Sequence, residues 1–351
     1  MAKKQIKKNT LLRTLFRVIL IIAAISLALS YVATFINPAK LWMPSIFGIY
    51  FIPLLILNIL LLVIALIFRP SSALIPFIAI IPASLFMEYF FRFENTNPIE
   101  GKDQIKVITY NVGRFGSNKK EIANFLNKEN ADIVALQEFY IKDTTQLDKF
   151  LKNYPHNHYH FFKLRNGYFF GNITFSKHPL VGGGKLTFKK STNLSLFSDF
   201  KIGKETFRVY NNHLESFNIP LKSLIDKINH REFDKASDDL VNAYDKVILT
   251  NKKRAEQVIA IVNHIKDIDN AIICGDLNDT PMSYTFHQLR QNKLDTFAKV
   301  GKGFGATYSM LWPLLRIDFI LIPNNFIVTK HTTPKLEWSD HYPVIAKFNI
   351  Q

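Results

Sequence analysis

Acids, amides and histidines in this chain fall where short apolar runs end. Asn111 closes VITYN, Glu138 closes IVALQE, Asn172 lies in YFFGNITF, and His213 ends RVYNNHL. Asp276 and Asn278 belong to AIICGDLN, Asp318 to RIDFIL, and Asp340 and His341 to WSDHYPV. Open sheets present side chains to a cleft at such strand ends. Any one of these residues reads equally well as a cap or a turn. Seven such positions together, in acid–amide–histidine combinations, point to a site. Asn111, Glu138 and Asp340 offer hard oxygen ligands and no thiolate, which suits Mg²⁺ or Mn²⁺ better than zinc. His213, Asn278 and His341 can donate hydrogen bonds to a phosphoryl oxygen. Asp276 can orient or deprotonate a water for in-line attack, and Asp318 can fix the tautomer and charge of a histidine. Gly182–Gly184 lacks the Lys-Ser/Thr that completes a phosphate loop and reads as a turn. No G-x-S-x-G elbow supports serine hydrolysis.

The elements that must position these residues alternate between short strands and helices. β-branched or aromatic runs bounded by Gly, Asn or Pro predict strands at Ile105–Val112, Ile133–Gln137, Tyr168–Phe175, Lys185–Phe188, Ser195–Ile202, Thr206–Asn211, Ala271–Cys274, Ile317–Ile322 and Val344–Phe348. Helices are expected at Lys119–Lys128, about Leu221–Tyr244, Lys253–Ile265 and Ser283–Gln291. In the third of these Ala255, Val258, Ile259, Val262 and Ile265 share one face. Hairpin-paired strands with covering helices indicate an α/β sandwich of two packed sheets. The charges of Glu215–Lys253 read as the solvated face of a helical cover.

The ordered set TYN, LQE, GN, NNHL, GDLND, RIDFI and SDHYPV, spread over Ile105–Asn349, resembles the endonuclease/exonuclease/phosphatase superfamily. The resemblance implies a four-layer α-β-β-α sandwich of two mixed sheets. It also implies cleavage of a phosphate ester with a divalent metal where the ends of the two sheets meet. By match to those motifs Glu138 is the main metal ligand, with Asn111 and Asp340 beside it. His213 and Asn278 bind phosphate, and Asp276 positions the water. Asp318 and His341 form a pair that stabilises the transition state, and Asn172 supports the site. The inositol 5-phosphatase branch is disfavoured, because MLWPLLRID stands where its Pro-x-Trp-Cys/Thr-Asp-Arg signature belongs. Gly303–Tyr308 resembles the segment that precedes RID in nuclease-like members.

The chain has 351 residues and a net charge of +16, unevenly made up. Met1–Glu100 carries 9 Lys+Arg against 3 Asp+Glu and is almost wholly apolar; the rest carries 35 against 25, a net +10. A disordered chain, a disulfide scaffold and a wholly soluble protein are excluded. The single Cys274 cannot form an intramolecular disulfide. Val18–Ile36, Ile46–Phe68 and Ala73–Phe91 each have the length to cross about 30 Å of hydrocarbon at 1.5 Å per residue. Three transmembrane helices are therefore expected, with an interfacial third helix as the alternative. A cleaved signal peptide is disfavoured by the length of the first run and by the two that follow. The expected division is a membrane anchor over 1–92, a linker over 93–104 and a catalytic domain over 105–351.

Six basic residues precede the first run, and the later loops carry only Lys40 and Arg69. The positive-inside rule then sets the N-terminus in the cytoplasm. Three crossings put the catalytic domain on the extracytoplasmic side of what the Lys, Asn, Ile and Phe content suggests is a bacterial inner membrane. Basic charge on that domain favours a polyanion, so a nuclease-type phosphodiesterase is the first expectation. A phospholipid or sphingolipid phosphodiesterase, or a phosphatase, at the membrane surface is the alternative. A non-catalytic binding module is more remote, since it would need a lost ligand and none is missing. The partners implied are a phosphate-ester substrate (nucleic acid or phospholipid) and the lipid bilayer; no protein partner is implied.

Overall fold

Two six-stranded mixed sheets lie face to face between helical layers. The computed structural model describes residues 2–93, 104–189, 191–217, 227, 230 and 233–350, without the side chains of 2–9, 233–238 and 240. Strands β13 (Ile327–Thr332), β14 (Val344–Asn349), β2 (Gln104–Asn111), β3 (Ile133–Ile141), β5 (Phe169–Ser176) and β4 (His156–Lys163) follow one another across one sheet. Strands β10 (Lys293–Asp295), β12 (Asp318–Pro323), β9 (Ala271–Asp276), β8 (Glu205–His213), β7 (Leu194–Ile202) and β6 (Leu180–Thr187) make the other. Val107, Ile133 and Ala135 meet Val209, Ile272 and Ile320 between them. Cys274 lies in the same layer; its thiol donates to Tyr210 O (3.4 Å), and burial pushes it up to about 12.

Helices α5 (Lys119–Glu129) and α6 (Leu147–Phe150) cover the first sheet through Ile122, Leu126, Leu147 and Phe150. The spacing of Ile122 and Leu126 sets one apolar stripe on α5, and left-handed Asn130 ends it. Helices α7 (Phe233–Ile265) and α8 (Tyr284–Arg290) cover the second sheet through Val258, Ile261 and Phe286. Ser283 caps α8 by accepting from Phe286 N–H. Asp295 caps the short α9 (Thr296–Val300) in the same way. The four-layer sandwich is as expected.

Three details of the reading change. Gly182–Gly184 is not a turn but the interior of β6. Cβ atoms there would meet Asp199 Oδ2 at 2.9 Å, the His158 ring at 2.7 Å and the Phe197 ring at 2.6 Å, so bulky neighbours fill the space side chains would take. The two helices expected on either side of Asp245–Lys252 are one helix, α7, whose polar Thr250 and Asn251 are buried. The start of that expected cover, 218–226, and most of the linker, 94–103, lie outside the described residues.

The third change concerns the expected membrane segment. Helix α1 (Ala2–Val32) contains an apolar span, Thr10–Val32, and α3 (Phe51–Phe68) is a second; only 22% and 28% of their apolar windows are buried, unlike core helices. The run Ala73–Phe91 is not a third continuous helix. It breaks into α4 (Leu74–Ile80) and two short 3₁₀ turns, Ile81–Leu85 and Met87–Tyr89. Pro82 has no N–H for Ile78 O and cannot continue an α-helix there. The segment still packs beside α1 and α3: Arg17 meets Ser72 at one end (3.2 Å), and Phe51 meets Phe90 at the other (5.2 Å between rings). Asn58 of α3 donates across to Ala23 O of α1 (3.0 Å).

These helices do not stand apart from the sandwich. Leu27, Phe51, Leu55 and Phe90 share one buried cluster with Met282, Phe286 and Phe319. Helix α2 (Met43–Ile49) packs on the segment after β9 so closely that a Cβ on Gly48 would sit 2.3 Å from Met282 O. Ser45 Oγ accepts from Asn251 of α7 (2.8 Å). Beyond the last 3₁₀ turn, β1 (Phe91–Arg92) pairs with β11 (Gly303–Phe304). Arg316, buried, donates both to Asp295 and to Tyr89 O (3.2 Å).

Candidate active site

Parallel pairing brings the C-terminal ends of β2 and β3, and of β8 and β9, to one end of the sandwich. His213 and Asp276 end β8 and β9 directly opposite each other. Asp318 reaches the same place by the reverse route: it opens β12, which runs antiparallel to β9, and so also pairs with Asp276. Glu138 sits in a β-bulge of β3 with φ +53°, which swings its side chain out of the ladder toward the others. Gly275 permits the turn at the end of β9. Its φ is +125°, and a Cβ there would lie 2.0 Å from Asn212 O.

Around Asp276 the contacts are dense. Its Oδ2 accepts from Asn111 Nδ2 (3.0 Å) and Asn278 Nδ2 (3.2 Å), and its Oδ1 from Asn278 N–H (2.8 Å). The same oxygen, Oδ2, faces His341 Nε2 at 3.7 Å and His213 Nε2 at 3.9 Å. His213 also lies 3.7 Å from Glu138, to which Asn111 donates at 3.3 Å. His341 Nδ1 donates to Asp318 Oδ2 (2.9 Å). Burial opposes a charge on that ring, but Asp318 and Asp276 outweigh it and push His341 up to about 10, so it is an imidazolium at neutral pH. Burial raises Asp276, and the two histidines and Asn111 work against that rise.

All the expected residues converge except Asn172, which stands apart from them. It lies within β5, buried between the sheets, and donates to Asn211 O (3.1 Å). Asn278 does not offer its amide to the open cleft: it donates to Leu214 O and to Asp276. Asn111 likewise accepts from Gly113 N–H and donates to the two carboxylates. Both asparagines therefore hold carboxylates in place. Asp340 is exposed at the rim, its backbone O bound by Ser309 N–H.

Several residues escaped the sequence reading. Gln137 and Asn211 form a buried amide strut between the sheets, Gln137 Nε2 donating to Asn211 Oδ1 (2.7 Å), while Asn211 Nδ2 donates to Leu136 O and Ile173 O. Both adjoin motif residues, in LQE and NNH, and that adjacency was the available signal. Thr307 Oγ1 accepts from Asp318 N–H (3.1 Å). Tyr308 lays its ring edge-on to His341 (5.3 Å). Arg254 of α7 is fully buried near Asp279 (3.6 Å) under the Phe217 ring (4.3 Å). Nothing in a single sequence marks it.

Glu138, Asp276, Asn278, Asp340 and His341 line one cleft of about 360 Å³. A larger groove of about 540 Å³ runs past Lys266, Asp269, Gln288 and Lys293 and holds none of these groups. Ligand atoms of Asp276, Asp318 and His341 lie within 4.8 Å of one another, and Asp318 Oδ1 has no partner among the described residues. Oxygen and imidazole donors without a thiolate fit a hard divalent cation. Glu138 and Asp340 open their carboxylates to the same cleft.

The model of the endonuclease/exonuclease/phosphatase family matches residues 108–341, more than half of the chain. The chain belongs to the endonuclease/exonuclease/phosphatase family. Its members hydrolyse phosphate esters, and the site is that of such a hydrolase. A domain of unknown function, DUF8431, matches residues 13–89. No curated protein matches. Among solved structures, the family member from Beutenbergia cavernae superposes with a TM-score of 0.54 at 19% identity, covering 71% of this chain and 72% of that one. One from Bacteroides vulgatus gives 0.52 at 16%, covering 71% and 100%. The human Nocturnin catalytic domain with bound sulfate gives 0.52 at 15%, covering 72% and 96%. At such identities these three share the family's fold with this chain.

Proposed function

We propose that this family member is a membrane-anchored, divalent-metal-dependent hydrolase that opens a phosphate ester by in-line attack of water. The observation that carries the reading is the convergence of Glu138, Asp276, Asp340 and His341 on one cleft, with His213 and Asp318 against them. Glu138, with Asn111 and Asp340 beside it, would hold Mg²⁺ or Mn²⁺. The bound ion neutralises charge on the phosphoryl group. Asp276 Oδ2, facing both histidines, orients the attacking water. His213 and the cationic His341 donate to phosphoryl oxygens as negative charge gathers there, and Asp318 keeps His341 charged and aligned. Asn111 and Asn278 hold the Asp276 carboxylate in one orientation.

Two apolar spans and a third segment packed beside them support membrane anchoring; a bacterial inner membrane with the catalytic domain on its extracytoplasmic face is the reading of the basic N-terminus and the composition. The net +10 of Gly101–Gln351 favours nucleic acid as substrate, whereas the membrane segment packed on the domain favours a lipid ester. The test is hydrolysis of bis(p-nitrophenyl) phosphate by the full chain in detergent. The expected rate depends on Mg²⁺ or Mn²⁺, disappears in EDTA and returns with added metal. A full rate in excess EDTA would refute the metal assignment.

A further inference from the structure

We infer that the cleft takes an amphiphilic phosphate ester drawn from the bilayer, whose hydrocarbon chain lies along a wall completed by the membrane-side helix α2. The inference rests on the phosphoesterase reading above and names its substrate class. Ile49, the last residue of α2, lines the same cleft as Glu138, Asp276, Asp340 and His341. Its place is fixed by three contacts: Gly48 against Met282 O, Ser45 with Asn251, and the Trp42 ring edge-on to Tyr244 at 5.6 Å. Met282 follows Asp276 by six residues, so α2 packs on the loop that leaves the catalytic strand.

Apolar side chains continue the wall. Leu311, Leu315 and Ile317 line the cleft, and their chain neighbours Met310 and Leu314 are 57% and 39% exposed. Beyond it Trp312 meets Phe304 (6.0 Å), and Phe304 meets Phe91 of β1 (5.0 Å), beside Lys302 and Lys335, the latter's Nζ 3.5 Å from the Trp312 ring. Exposed apolar side chains grouped at a cleft mark a binding face, and the helices before β1 leave most of their own apolar windows uncovered. A nucleic acid would need Lys or Arg spaced along several phosphates. Among the described residues, the cleft lining has neither.

The test compares two esters that share a phosphate and a leaving group, methyl p-nitrophenyl phosphate and hexadecyl p-nitrophenyl phosphate. Both are presented to the full chain in phosphatidylcholine nanodiscs with Mg²⁺ or Mn²⁺, and supercoiled plasmid DNA is offered separately. The long-chain ester should have a kcat/KM higher by on the order of tenfold or more, through KM. Ile49→Asp and Leu311→Asp should erase that preference, and Ile49→Leu should restore it; a circular-dichroism melt reports that each variant is folded. Equal constants for the two esters, or cleavage of plasmid DNA in place of the long-chain ester, would overturn the inference and leave the phosphoesterase reading standing. Hydrolysis of neither ester nor the plasmid would overturn both.

Discussion

Asp276 is a buried carboxylate held by two asparagines and faced by two histidines, the kind of arrangement found where charge develops in a reaction. Asp276→Asn and His341→Gln should each lower kcat by about 10²-fold or more while circular dichroism stays unchanged. Glu138→Gln should instead raise the Mg²⁺ concentration for half-maximal rate. Equal kcat losses at all metal concentrations for Glu138→Gln would show that it is not a ligand. At this scale the sequence was informative because each acid, amide or histidine follows a recognisable apolar run. The donors that hold them were harder to see. Gln137 and Asn211 look like ordinary strand polar residues until the sheets stack and the two amides meet. Arg254 reads as one more charge on a polar helix, though it is fully buried.

Elements were legible where their apolar pattern was strong and obscure where it was mixed. β4, HNHYHFFK, is an edge strand and half-buried almost throughout, so it has no clean alternation to read. β13 is likewise an edge, carrying Lys330 and His331. Gly275 is the point at which a strand end depends on a missing side chain. Gly275→Ala should cost on the order of 3 kcal/mol in thermal or urea unfolding, because its backbone is left-handed and Asn212 O occupies the Cβ position. β13 also carries a pH response. Burial, and then the nearby Arg316, hold His331 well below its ordinary value of 6.5, so it is neutral in the fold. Below about pH 6.5 the unfolded chain takes up a proton that the folded chain refuses, so stability falls as pH drops from 7 to 5. His331→Gln should flatten the plot of Tm against pH over that window. An unchanged slope would assign the acid sensitivity elsewhere.

For the whole molecule, the expected anchor and catalytic domain share one buried cluster. The helices and the second sheet share buried Leu27, Phe51 and Phe90 with Phe286 and Phe319. A chain that starts at Gln104 should therefore bind a hydrophobic dye and unfold at lower temperature than the full chain in detergent; equal Tm values would mean the shared cluster contributes little. The sequence could not announce this, because the same Leu and Phe that pack on the sandwich also satisfy a membrane-spanning pattern. Orientation is open to a direct measurement. A C-terminal alkaline phosphatase fusion should be active, and a fluorescent-protein fusion that folds only in the cytoplasm should be dark. The reverse result would place the catalytic domain inside. Cys274 gives the molecule a built-in clock for its own opening. One thiol, pushed up to about 12 and sealed between the two sheets, reacts with an aromatic disulfide reagent only when those sheets separate. Its labelling rate in the purified full chain therefore counts how often the centre of the protein comes apart, with no introduced probe and no second thiol to confuse the trace.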